Sequence, residues 1–213
     1  MDCARNPQTK EKSDMDFSVF LNFDKAVFQW VEKVFDYGIS AVITPILVFL
    51  TKLGDSGILW IVIGLALLCF KKTRKVGATV LGALLVMMVC NNLILKNLFA
   101  RTRPYNLEVW KDWFVYPELV KRPSSFSFPS GHSSSGFAAA TALCTSKKAY
   151  VIIPAFIFAG LVAFSRIYVH VHYPTDVIFG ALLGAVYGVI AIFVCKWIID
   201  RINDKTKLNF FRA

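Results

Sequence analysis

The run PTDVIFGALLGAVYGVIAIFVCKWII, residues 174–199, decides the fold. It carries no charge between Asp176 and Lys196. It also exceeds the about 20 residues that a helix needs to cross a hydrocarbon core roughly 30 Å thick. Gly180, Gly184 and Gly188 recur every four residues along it, a stripe that lets another helix approach closely. Packing is the expected job of that stripe.

Outward from this run, five further apolar stretches precede it, approximately Tyr37–Leu53, Ser56–Phe70, Val76–Phe99, Ser133–Thr145 and Tyr150–Tyr168. The stretches at 76–99 and 150–168 are long enough to span a bilayer, whereas those at 56–70 and 133–145 are short enough to be buried core helices. Composition points the same way. Of 213 residues, 56% are hydrophobic and 18% charged, where a soluble domain averages roughly 45–50% and about 25%. A disordered chain, which needs low hydrophobicity and high charge, is excluded. The net charge of +10 would suit a nucleic-acid partner only if the charge were gathered on one surface.

It is not so gathered. With the N-terminus in the cytoplasm and six crossings, the inside segments are residues 1–36, Lys71-Lys72-Thr73-Arg74-Lys75, Ser146-Lys147-Lys148 and the tail from Lys196, which hold 16 of the 24 basic residues. That is the positive-inside pattern. Dropping the short crossing at 133–145 would put Lys147 and Lys148 on the wrong face. The expected fold is therefore an all-α polytopic membrane bundle of six transmembrane helices, with both termini cytoplasmic. The +10 divides into +7 inside and +3 outside, and no nucleic acid is expected as a partner.

Three regions follow: 1–34, a polar tail and an amphipathic helix; 35–199, the six-helix domain; and 200–213, a basic cytoplasmic tail. Residues 1–16 lack the apolar core of a signal peptide. Between 17 and 35, Phe20, Phe23, Val27, Trp30, Val31 and Val34 fall near one helical face, with Asp24, Lys25, Glu32 and Lys33 elsewhere. Such a helix lies at the membrane interface or packs on the rest of the protein. The five cysteines (Cys3, Cys69, Cys90, Cys144, Cys195) have no CxxC spacing, and four sit in apolar runs as small hydrophobes.

Three clusters carry chemistry, all on the outer face. In the first, KNLFARTRP (96–104), Lys96 and Arg103 are seven residues apart, close to two helical turns, and Pro104 then ends the helix. Paired cations suit a phosphate; the alternative is a basic rim snorkelling to the interface. In the second, FPSGHSSS (128–135), Ser130 and Gly131 leave room for an anion at a helix N-terminus and His132 can exchange a proton there. The alternative is an ordinary serine-rich cap. In the third, SRIYVHVHYPTD (165–176), Pro174 opens the last helix, which brings Asp176 within reach of His172 for a carboxylate–imidazole dyad. A metal site of His170, His172 and Asp176 is the competing reading, without a further ligand-rich cluster to complete it. All three histidines of the chain fall in two of these clusters.

The pattern Lys96-x6-Arg103-Pro104, Pro129-Ser130-Gly131-His132, Ser165-Arg166-x5-His172-x3-Asp176 resembles the three-part signature of the type 2 phosphatidic acid phosphatase superfamily, which includes vanadium haloperoxidases and membrane lipid phosphatases. The match covers residues 96–176 with no departure inside the motifs. The resemblance implies that His172 attacks phosphorus to form a phosphohistidine, that Asp176 orients it, and that His132 protonates the leaving oxygen and then activates water. It also implies that Lys96, Arg103, Ser130, Gly131 and Arg166 hold the phosphoryl oxygens, with no metal and no other cofactor. His170 is left secondary.

The paired roles require His172 neutral while His132 is protonated, hence a bell-shaped pH–rate profile. A site at the outer membrane surface implies a lipid phosphate or diphosphate as substrate, undecaprenyl diphosphate being favoured by resemblance; phosphatidylglycerophosphate and phosphatidate are the alternatives. Within the long connection, Tyr105, Trp110, Trp113, Phe114, Tyr116, Phe126 and Phe128 either lie on headgroups or merely anchor the loop. A soluble haloperoxidase conflicts with six apolar spans. A lipid or anion transporter would place ionisable groups at mid-membrane rather than at one rim. Asn91 and Asn92, the polar residues deep in a span, are expected to bond between helices or to support Lys96.

Overall fold

The computed structural model describes residues 17–36, 40–107 and 119–205. Seven helices account for most of them: α1 (Ser18–Asp36), α2 (Ser40–Leu53), α3 (Ile58–Cys69), α4 (Arg74–Met87), α5 (Gly131–Leu143), α6 (Ala149–Tyr168) and α7 (Pro174–Lys205). Helix α4 runs on through a π-helical segment, Met88–Leu95, and a last α-turn, Lys96–Phe99. No strand occurs among the described residues.

Helix α5 is the centre, packed against α4, α6 and α7. Its sequence explains the position. Ser133, Ser134, Ser135, Gly136, Ala138, Ala139, Ala140, Ala142 and Leu143 are all buried, and such small side chains let neighbouring backbones come close. The glycine stripe of α7 meets it. A Cβ on Gly180 would stand 2.8 Å from the Ser130 carbonyl oxygen, and one on Gly188 2.5 Å from Thr141 Cβ. The stripe is a packing face, as its spacing predicts.

Outer helix faces are apolar. Ile58, Val62 and Leu65 on α3, Ile153, Ile157 and Leu161 on α6, and Leu182, Val186, Val189 and Phe193 on α7 are all exposed. Water would penalise so continuous an apolar surface, and hydrocarbon suits it. The chain is a membrane protein. The helices through 74–106, 149–168 and 174–202 are long and apolar enough to span, and α2 with α3 pass together as a pair bent by 54°. Helix α5, with 13 residues, is about 20 Å long, short of a full crossing. Length and composition thus give three spans, or four with the bent pair; the six-crossing topology rests on the charge pattern.

Two details near the site differ from the sequence reading. Pro104 does not end α4. Ala100, at φ 45°, closes the helix after Phe99, and Arg103 lies in extended backbone (φ −75°, ψ 154°). Lys96 and Arg103 are therefore not two turns apart on one helix. Helix α1 buries Asp24, Phe28 and Val31 against the rest of the protein, so Asp24 is not on a solvated face. Within the aromatic connection, Trp110, Trp113, Phe114 and Tyr116 lie outside the described residues. Phe128 is buried, its ring centroid 4.8 Å from that of Phe99 and 5.6 Å from that of Phe179, so it anchors the loop rather than lying on headgroups.

Candidate active site

A cavity of about 860 Å³ opens between α3, α4 and the N-terminus of α5. Lys96, Arg103, Gly131, His132, Arg166 and His172 all line it. Lys52 and Lys121 add two further cations, and Asp55 is the one carboxylate among the described residues that line it. Five cations against one carboxylate in a low-dielectric wall make an anion site. Its other side is apolar, formed by Ile61, Leu81, Leu84, Leu85, Met87 and Met88.

Arg103 organises the centre. Its Nε donates to the Ser125 carbonyl (2.7 Å) and Nη1 to the Val171 carbonyl (2.7 Å). Its Nη2 donates to Ser125 Oγ (3.2 Å) and the Phe126 carbonyl (3.3 Å). Nη1 also stands 3.3 Å from His172 Nε2. A guanidinium has no acceptor, so Nε2 must offer its lone pair there, which places the ring proton on Nδ1. That nitrogen faces Asp176 Oδ2 at 3.5 Å, longer than a formed hydrogen bond. The residue is almost fully buried. Burial first, then the Arg103, Arg166 and Lys96 cations, hold its imidazole well below the ordinary range.

Asp176, fully buried, sits behind His172 rather than in the cavity wall. Its Oδ1 accepts from Arg101 Nη1 at 2.5 Å, and its Oδ2 from the Ser127 hydroxyl and, at 3.0 Å, from the Tyr173 amide. The first turn of α7, opened by Pro174, provides this position.

Ser130 caps α5. Its backbone amide donates to the Asp176 carbonyl (3.1 Å), and its Oγ accepts from the Ser133 amide (3.4 Å) and lies 3.0 Å from Ser133 Oγ. Ser130 is fully buried and outside the cavity lining, so the capping role read as an alternative is realised. The Ser134 amide turns back to the Ser130 carbonyl. The Gly131 and His132 amides remain as donors that the helix itself does not use. A Cβ on Gly131 would lie 3.7 Å from Lys96 Nζ; glycine keeps the lysine close to the turn.

Arg166, on the last turn of α6, donates through Nη1 to Thr51 Oγ1. His132 Nε2 is 3.7 Å from Asp55 Oδ1. Asn91, fully buried in the π-helical segment, accepts from Ser134 Oγ (2.9 Å) and donates to the Pro129 carbonyl (3.4 Å), the interhelical role expected of it. A π-turn is a common device for aiming side chains at a site, and here Asn92 reaches the cavity from it and Lys96 from the α-turn that follows. His170 does not line the cavity. It closes α6 with φ 54°, its amide bonded to the Ile167 carbonyl at 2.9 Å, and burial lowers its imidazole to about 4. Among the described residues no group of three or more His, Cys, Asp or Glu is gathered for a metal ion.

Sequence reasoning missed Arg101, Ser127, Thr51, Asp55 and Asp24. Arg101 lies inside the first motif and Ser127 borders the second, and that proximity was the available signal. Asp24 had none, since an acid in an amphipathic helix looks solvent-facing.

The sequence profile of the PAP2 superfamily matches residues 76–201. An undecaprenyl-diphosphatase of Sulfolobus acidocaldarius is 39% identical over 158 residues, 72% of this chain and 71% of that protein. Two crystal structures, each 25% identical, share the fold. That of Aquifex aeolicus LpxE superposes with a TM-score of 0.61 over 80% of this chain and 94% of its own. That of a PAP2-type phosphatidylglycerolphosphate phosphatase of Bacillus subtilis does so with a TM-score of 0.62 over 88% and 89%.

Proposed function

This chain belongs to the PAP2 superfamily and is a membrane lipid phosphatase, and within that class we propose that it hydrolyses a polyprenyl diphosphate, undecaprenyl diphosphate being favoured, through a phosphohistidine on His172. The observation that carries the mechanism is the contact between Arg103 Nη1 and His172 Nε2. It fixes the tautomer whose lone pair lies beside the cation that would hold a phosphoryl oxygen.

In the first half-reaction Nε2 forms a bond to phosphorus while the bond to the leaving oxygen breaks, and His132 gives that oxygen its proton. Asp176 supports the charge that develops on the His172 ring. In the second, water attacks phosphorus and passes a proton to His132, the P–N bond breaks, and phosphate leaves. Lys96, Arg103, Arg166 and the Gly131 amide stabilise the equatorial oxygens, the main electrostatic contribution in phosphoryl transfer. Ser130 acts as the cap that aims that amide. These protein cations supply the charge a metal would otherwise provide, so the reaction is read as metal-independent.

The substrate reading is supported by the name of the Sulfolobus relative and by a cavity cationic at one end and apolar at the other, which suits an amphiphile with a phosphate head. Similarity to the Bacillus phosphatidylglycerolphosphate phosphatase favours a second reading, the same chemistry on a phospholipid monophosphate. For the topology we keep six crossings, with termini in the cytoplasm and the site at the outer face. The regions remain 1–34, 35–199 and 200–213.

Phosphate release from undecaprenyl diphosphate, phosphatidylglycerophosphate and phosphatidate, measured with EDTA present, tests the proposal. His172→Ala and His132→Ala should each lose release. Release that survives both substitutions overturns the mechanism, and release abolished by EDTA overturns its metal independence. Faster turnover of the monophosphates selects the second reading.

A further inference from the structure

Arg101 lies between two carboxylates. Its Nη1 is 2.5 Å from Asp176 Oδ1 and 2.8 Å from Thr175 Oγ1, and its Nη2 is 2.9 Å from Asp24 Oδ2. The rings of Tyr173 and Phe17 lie 3.8 Å and 4.4 Å from the guanidinium carbon. Asp24 is fully buried, and it accepts also from the Thr175 amide and hydroxyl, each at 2.9 Å. These three hydrogen bonds all come from outside α1, and α1 lies outside the residues that match the family profile.

Burying a carboxylate is costly until its partners offset the lost hydration. Phe28 and Val31 already fill the packed face of α1, so packing alone does not call for a charge there. What Asp24 adds is charge balance: Arg101 then faces Asp176 as half of a neutral pair rather than as a lone cation. We propose that Asp24 is a positioning residue for the His172–Asp176 pair, acting through Arg101. It holds the guanidinium on Asp176 Oδ1 and balances its charge, which leaves the negative charge of Asp176 to support His172. The inference rests on the reading of His172 as nucleophile.

The sign follows from the groups around His172. It is faced by Asp176 from α7, by Lys96 and Arg103 from the end of α4 and the segment after it, by Arg166 from α6 and by His132 from α5. Removing the charge of Asp24 adds uncompensated positive charge to this set, so the His172 ring binds a proton less readily and is a poorer nucleophile. Removing the charges of Asp24 and Arg101 together takes the nearer cation away from Asp176, and the ring binds a proton more readily.

The test uses the full chain in detergent and whichever lipid of the panel above turns over. Asp24→Asn should lower kcat about tenfold with KM within twofold, and shift the acidic limb of kcat/KM down by about half a pH unit. Asp24→Asn with Arg101→Gln should shift that limb up, and this pair carries the test where the single variant fails to fold. Asp24→Glu, which keeps the charge, should leave the limb in place. A purely structural role lowers the active fraction in all three and moves no limb, and that result overturns the inference. Activity retained by His172→Ala would instead overturn the reading on which it rests.

Discussion

Gly184 and Ser134 are in backbone contact: a Cβ on Gly184 would stand 2.4 Å from the Ser134 carbonyl oxygen. No rotamer relieves a clash of Cβ with backbone, so Gly184→Ala must push α7 away from α5. Overpacking of this kind costs typically about 1–3 kcal/mol, and here it also displaces the α7 turn that bears Asp176. Gly184→Ala should lower the melting temperature in detergent and remove most activity. Gly160 on α6 has nothing within 4 Å of its missing Cβ, and Gly160→Ala should leave both unchanged. Equal effects from the two would contradict this packing.

Arg103→Lys tests whether the centre needs a fork or only a charge. The guanidinium serves Ser125, Phe126, Val171 and His172 at once, and an ammonium cannot reproduce that planar geometry. A loss in kcat/KM of about 10²–10³-fold is expected, with the charge retained. A loss below tenfold would assign Arg103 a purely coulombic role.

The pH profile has a defined sign. Burial and the surrounding cations hold His172 well below 6.5, so in the free enzyme the nucleophile stays neutral as pH falls through the ordinary imidazole range. The acidic limb of kcat/KM should therefore lie well below the ordinary imidazole value of 6.5. Burial first, then Arg166 and the other nearby cations, hold His132 low in the free enzyme as well, so it carries its proton in the complex, where the phosphate charge offsets those cations. The basic limb therefore belongs to kcat, and His132→Gln should abolish that limb while sparing the acidic one. A rate flat from roughly pH 5 to 9, with chemistry limiting, would contradict the paired roles.

The site was legible because its residues fall in short runs whose spacing survives any detail of the helices: Lys96 and Arg103 reach one cavity although the helix between them ends at Ala100. The glycine stripe was legible because close approach demands small residues at a fixed period. What sequence hid was non-local or conformational. The partners Asp24, Arg101 and Asp176 lie 75 and 77 residues apart in two of their contacts, and pairing over such distances leaves no local pattern. The π-segment at 88–95 looks like any apolar helix, and a non-glycine residue such as Ala100 gives no warning of a left-handed cap. Helix α5 reads as a short span because its run of small residues carries no charge and the Lys147-Lys148 pair that follows calls for a crossing.

His170 separates a fold-stabilising histidine from the reacting ones. Its backbone is left-handed, and its imidazole, lowered by burial to about 4 from 6.5, is neutral in the folded protein at neutral pH. The unfolded chain takes up a proton near 6.5 while the folded one resists until about 4. Stability is therefore fully present above 6.5 and falls as pH drops through that window, by up to about 3 kcal/mol. Asparagine tolerates the left-handed region. His170→Asn should accordingly fold, retain phosphate release within a fewfold of the parent, and flatten the fall in melting temperature between pH 6.5 and 4. Loss of phosphate release in a stably folded His170→Asn would instead bring His170 into the chemistry.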